Sequence, residues 1–65
     1  MQTRIKEAII QIIQDKEARN ESFPCAHSVE VANKLRMNAR EVEFLAQGIS
    51  GITRHKTING EYYEA

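Results

Sequence analysis

Ala32, Leu35, Met37, Asn38 and Val42 stand at the offsets required of two helices joined by a tight turn, and no other stretch constrains the fold as closely. Read as A-x-x-L-x-M-N-x-x-x-V, residues 32–42 put Ala32 and Leu35 on the inner face of one helix and Met37 in the turn. Asn38 starts a second helix, and Val42 enters its inner face one turn later. The pattern consists mostly of apolar positions, which any compact three-helix unit needs.

The flanking residues supply the rest of such a unit. Ile5, Ala8, Ile9, Ile12 and Ile13 recur at helical spacing, with Thr3 placed as a cap, which predicts an amphipathic helix over residues 4–16. Arg4, Glu7, Gln11 and Gln14 form its polar face, while Ile10 lies off the apolar stripe and is a candidate dimer contact. The apolar period is lost from Glu17 to His27, where Asn20, Ser22 and Pro24 mark a connector. Its end, Phe23 to Ala26, reads as an extended segment able to pair with a C-terminal hairpin. Ser28 is the expected N-cap of a helix over residues 29–36, with Val31, Ala32 and Leu35 on one face. Asn38 and Glu41 have capping-box spacing at the head of a third helix over residues 39–48. Val42, Leu45, Ala46 and Ile49 make its inner face, and Gly48 and Gly51 end it.

Beyond Gly51 the residues become strand-like around Asn59-Gly60, a strong signal for a two-residue hairpin turn within residues 52–64. With that pair at the centre of the turn, Ile58 faces Glu61, Lys56 faces Tyr63 and Arg54 faces Ala65. Thr57 with Tyr62, and His55 with Glu64, occupy the other side. A two-stranded ribbon is marginal alone, so Ile52 and Tyr63 are the expected anchors to the helices.

Length and charge narrow the functional classes. A chain of 65 residues buries one small core, so residues 1–65 read as a single domain. The lone Cys25 cannot form an internal disulfide, and the longest uninterrupted apolar run is Ala8-Ile9-Ile10, which predicts a cytoplasmic setting with no membrane span. Cys25, His27 and His55 lack metal-finger spacing, so no metal or other cofactor is expected; Cys25 reads as a small buried hydrophobe. A third reading makes Cys25 a redox or metal sensor. Glu61 and Glu64 fall beside a turn and a chain end with no evident pocket, so neither an enzyme nor a small-molecule substrate is indicated. Nine basic and nine acidic residues cancel overall. Residues 33–58 nevertheless carry Lys34, Arg36, Arg40, Arg54 and Lys56 against Glu41 and Glu43, an excess of three positive charges.

Three helices, a C-terminal two-stranded hairpin and the A-x-x-L-x-M-N-x-x-x-V spacing across helices two and three resemble the winged helix-turn-helix domains, a mainly α fold with a small β-hairpin. The resemblance spans nearly the whole chain. One departure is Arg36, where many helix-turn-helix sequences have glycine. The resemblance implies a module for double-stranded DNA, its third helix in the major groove and its wing on the adjacent minor groove or backbone. It further implies a small transcriptional or mobile-element regulator, acting as a homodimer or beside a larger partner. Opposite Val42, Leu45 and Ile49 lie Arg40, Glu43, Phe44 and Gln47, so Arg40 is a candidate for guanine or phosphate and Gln47 for adenine. Ser28 and Asn38 at helix starts are candidate phosphate contacts, and Arg54, His55 and Lys56 supply positive charge on the wing.

Plainer roles exist for the same side chains. Arg40 and Lys34 are also ordinary solvated residues, Arg54 and Lys56 can discourage edge pairing, and Glu43 reads as a plain surface charge. Packing beneath the wing is the first reading of Phe44, ahead of a thymine-methyl contact or a protein interface. The alternative function is a winged-helix protein-interaction module that uses Phe44 and Ile10.

Overall fold

Ile5, Ala8, Ile9 and Ile13 are buried along one side of α1, Gln2–Ala18, as the isoleucine spacing predicts, with Ile12 packed at the margin. The computed structural model describes residues 1–65. The helix begins two residues earlier than predicted, so Thr3 lies inside it and caps nothing. The Gln2 side-chain amide donates to the Leu45 carbonyl at 3.2 Å, a tertiary contact to the first turn that local capping signals do not reveal.

The connector ends in a short strand, β1, Ala26–His27, followed directly by α2, Ser28–Leu35. The predicted cap at Ser28 is displaced by one residue: His27 is the N-cap residue, and its N–H donates to Glu30 Oε1 at 2.9 Å. Ser28 is the first helical residue and is only 1 % exposed. The Glu30 carboxylate also accepts a 2.7 Å bond from Lys16 Nζ, whose second bond goes to the Cys25 carbonyl, so the end of α1 is pinned to the β1–α2 junction. Cys25 is buried, and desolvation pushes its thiol above its ordinary pKa, which keeps it a neutral core group.

Arg36 closes α2 in the left-handed conformation, φ 57° and ψ 48°, while Met37 N–H donates to the Ala32 carbonyl at 2.8 Å. An arginine thus holds a left-handed position that glycine adopts most readily. The third helix, α3, Ala39–Ala46, starts as its sequence predicts. Asn38 Oδ1 accepts from Arg40 N–H at 2.8 Å, and Glu41 Oε1 accepts from Asn38 N–H at 3.3 Å. Val42 and Ala46 are buried beneath α3, with Leu45 and Ile49 packed at the edge.

Two further strands complete the chain, β2, Thr53–Thr57, and β3, Gly60–Glu64. They pair antiparallel, and β1 adds to the free side of β3, giving a three-stranded sheet of order β1-β3-β2 in place of a two-stranded ribbon. The hairpin register also differs from the predicted one, because Thr57 pairs with Gly60 and the turn is centred on Ile58-Asn59. Thr57 Oγ1 donates to the Gly60 carbonyl and accepts from Asn59 N–H, while Gly60 itself takes φ +133°. Lys56 therefore faces Glu61 and His55 faces Tyr62. A shift of two residues keeps every side chain on its predicted face, since strand side chains alternate with period two.

Tyr63, fully buried, joins the inner face of the sheet to Ile5, Ile9, Val31 and Val42 in one core. Its hydroxyl donates to Glu61 Oε1 at 3.0 Å, and Arg54 Nη2 holds the other Glu61 oxygen at 3.1 Å. Burial and the Glu61 bond raise the Tyr63 pKa above its ordinary value, so the hydroxyl stays a donor and the buried carboxylate keeps both partners. About half the residues are helical, and the whole is a three-helix, three-strand α+β unit. No helix is long and apolar enough to cross a membrane.

Candidate nucleic-acid interface

Once Val42 and Ala46 face the core, the helical period forces Arg40, Phe44 and Gln47 outward on the opposite side of α3. Phe44 is 71 % exposed, which corrects the expectation that it packs under the wing. The β2–β3 hairpin does not line the surface around it. Arg40, Glu41, Phe44 and Leu45 line a shallow open depression around the ring.

Glu43, the carboxylate that sequence alone places on the same outer side, is turned away. Its Oε2 accepts a 2.7 Å bond from Ser28 Oγ at the head of α2. A Cβ built on Gly60 would come within 3.0 Å of that oxygen, so the hairpin turn lies directly against this junction. Ser28, Glu43 and Gly60 thus place the β2–β3 turn beside α3. The exposed strip of α3 is left with a cation, an aromatic ring and an amide, with the exposed Glu41, one oxygen of which accepts from the Asn38 N–H, at its edge.

The remaining candidates divide sharply. Ser28 is buried and its hydroxyl is spent on Glu43, so it offers nothing to a phosphate. Asn38 is exposed but its Oδ1 is committed to the cap, leaving only its amide nitrogen for other contacts. Arg54 is tied to buried Glu61. His55 stacks on Tyr62 with ring centroids 4.8 Å apart and planes at 14°, and its Nε2 sits 2.6 Å from Glu64 Oε1 without hydrogen-bond geometry. Lys56 and Arg40 are exposed and make no ion pair, as are Lys34 and Arg36 around the helix–helix turn. Ile10 is half-buried on α1.

Some features were not singled out from the sequence. Ile58, 98 % exposed, forms the hairpin tip, a position visible only once the register is known. On the outer face of the sheet His27, Tyr62 and His55 form a cross-strand row, with Phe23 edge-on to Tyr62 at 6.3 Å. Cys25 Sγ lies 3.7 Å from His27 Nε2, and no third His, Cys, Asp or Glu joins them to make a set of metal ligands. Comparison with known protein families, curated proteins and solved structures finds no match to this chain.

Proposed function

We propose that this chain is a winged-helix module that binds double-stranded DNA, with α3 in the major groove and the β2–β3 turn on the neighbouring backbone or minor groove. The observation that carries the reading is the Ser28–Glu43–Gly60 junction, which sets the hairpin turn beside an exposed α3 strip and removes a carboxylate from it. The element order and the β1-β3-β2 sheet agree with that architecture. Lys34, Arg36, Arg40 and Lys56 remain free to meet phosphates, and phosphate neutralisation supplies most of the affinity of such modules. The chemistry is reversible binding, suited to a small transcriptional or mobile-element regulator. A single module makes few base contacts, so a homodimer or a larger protein partner supplies the second half-site.

The test is binding of a short mixed-sequence duplex by fluorescence anisotropy across a range of salt concentrations. Binding that weakens steeply with salt supports the reading, and absence of binding at low salt removes it.

Phe44 favours a second reading, a protein-interaction module, because a ring 71 % exposed at the centre of a helix face is an effective anchor for a partner. Under this reading Phe44→Ser abolishes self-association or partner capture and leaves the fold intact.

A further inference from the structure

Arg40 and Phe44 of α3 and Gln47, its C-cap residue with helical backbone angles, stand at positions i, i+4 and i+7, within about 60° of arc and spread over about 10 Å of helix axis. That length matches roughly three base-pair steps of a duplex. Among the side chains on this strip, only the Phe44 ring has no polar atom.

The base edges in the major groove are donors and acceptors, with one exception, the C5-methyl group of thymine. A bare phenyl ring set against a guanine, cytosine or adenine edge strips water from polar atoms and returns no hydrogen bond. Against a thymine methyl it buries apolar surface on both sides. The sequestration of Glu43 by Ser28 matters here too, because an ionised carboxylate one residue away would repel the backbone and favour a cytosine amine.

Resting on the duplex-binding reading above, we infer that α3 reads a thymine through Phe44, its C5-methyl group packed on the ring, with Arg40 and Gln47 reading guanine and adenine in the flanking base pairs. Phe44 is then the specificity-determining residue of the helix, and the solubility cost of its exposure is offset in the complex.

The test begins with selection of duplexes with a randomised core by the intact chain, followed by resynthesis of a selected duplex with deoxyuridine in place of each thymine in turn. Removal of one methyl group weakens binding about fourfold at a single position. Phe44→Ala binds the thymine and uracil duplexes alike, and Phe44→Leu retains a preference for thymine. The inference is overturned if the unaltered chain binds both duplexes equally, or if Phe44→Ala shows the same uracil penalty. Loss of all salt-sensitive binding to every duplex is a different outcome, which defeats the duplex-binding reading and this inference with it. The change on the DNA side does not depend on any variant folding.

Discussion

The Ser28 hydroxyl donates a 2.7 Å hydrogen bond to Glu43 Oε2, joining the first residue of α2 to the middle of α3. That bond ties the two helices together and holds the Glu43 carboxylate toward α2. Ser28→Ala loses about 1–2 kcal/mol of stability, measured by urea denaturation, because a hydroxyl bond to a carboxylate disappears from a part-buried site. It also weakens duplex binding by releasing a negative charge toward the strip. Glu43→Gln keeps an acceptor for Ser28, so it folds near normally and binds duplex more tightly at low salt.

Arg36 carries backbone strain that glycine would not, since its φ of 57° lies where side chains crowd the backbone. That strain is worth about 1–2 kcal/mol and is partly offset by the greater freedom glycine gives the unfolded chain. Arg36→Gly accordingly raises the melting temperature by a few degrees, or about 0.5–1 kcal/mol. Arg36→Val lowers it, because branching at Cβ suits the left-handed region worst.

Glu30 makes stability depend on acid. Burial opposes its ionisation most strongly, but the Lys16 ammonium and the His27 N–H together outweigh burial and hold its pKa below the ordinary 4.5. A carboxylate whose folded-state pKa is lowered stabilises the fold fully above its unfolded value and loses that contribution as pH falls through the folded value. The urea midpoint thus declines as pH drops below about 4.5. Glu30→Gln lowers the midpoint at neutral pH, and its deficit against the unaltered chain shrinks with acid.

Arg54 and Lys56 look equivalent in sequence and differ in consequence. Arg54→Ala leaves buried Glu61 with the Tyr63 hydroxyl as its one remaining partner, so it lowers the melting temperature. Lys56→Ala leaves the fold alone and reduces the slope of log affinity against log salt by about one, and adding Arg40→Ala weakens binding further and relaxes the preference for guanine with little further change in slope. Equal salt slopes for the double variant and the unaltered chain contradict the docking mode.

The parts of the fold legible in sequence are those set by local chemistry. Ile5, Ala8, Ile9 and Ile13 follow a helical period, and Asn38 with Glu41 satisfies its own helix end; both are visible within a few residues. The errors arise where a distant group decides or where a neighbouring side chain outcompetes the expected one. Thr3 and Ser28 are suitable caps, yet Gln2 reaches Leu45 and Glu30 takes the His27 N–H, moving both helix starts. Asn59-Gly60 signals a turn correctly, but the Thr57 hydroxyl moves its centre to Ile58-Asn59. Two residues, Ala26 and His27, suffice for a strand only because Tyr62 and Tyr63 lie beside them. For the candidate site, the outward strip of α3 follows from its period, whereas the loss of Ser28 and Arg54 to internal bonds required the three-dimensional arrangement.

The central claim is tested most directly by titrating isotope-labelled protein with a short mixed-sequence duplex at low and moderate salt and following the backbone amides by NMR. Docking through α3 and the hairpin predicts salt-sensitive shifts concentrated at Asn38–Gln47 and Lys56–Asn59, with the core strand β3 and the outer aromatic row little changed. The absence of shifts at low salt, or shifts confined to the outer sheet face around His27 and Tyr62, contradicts it.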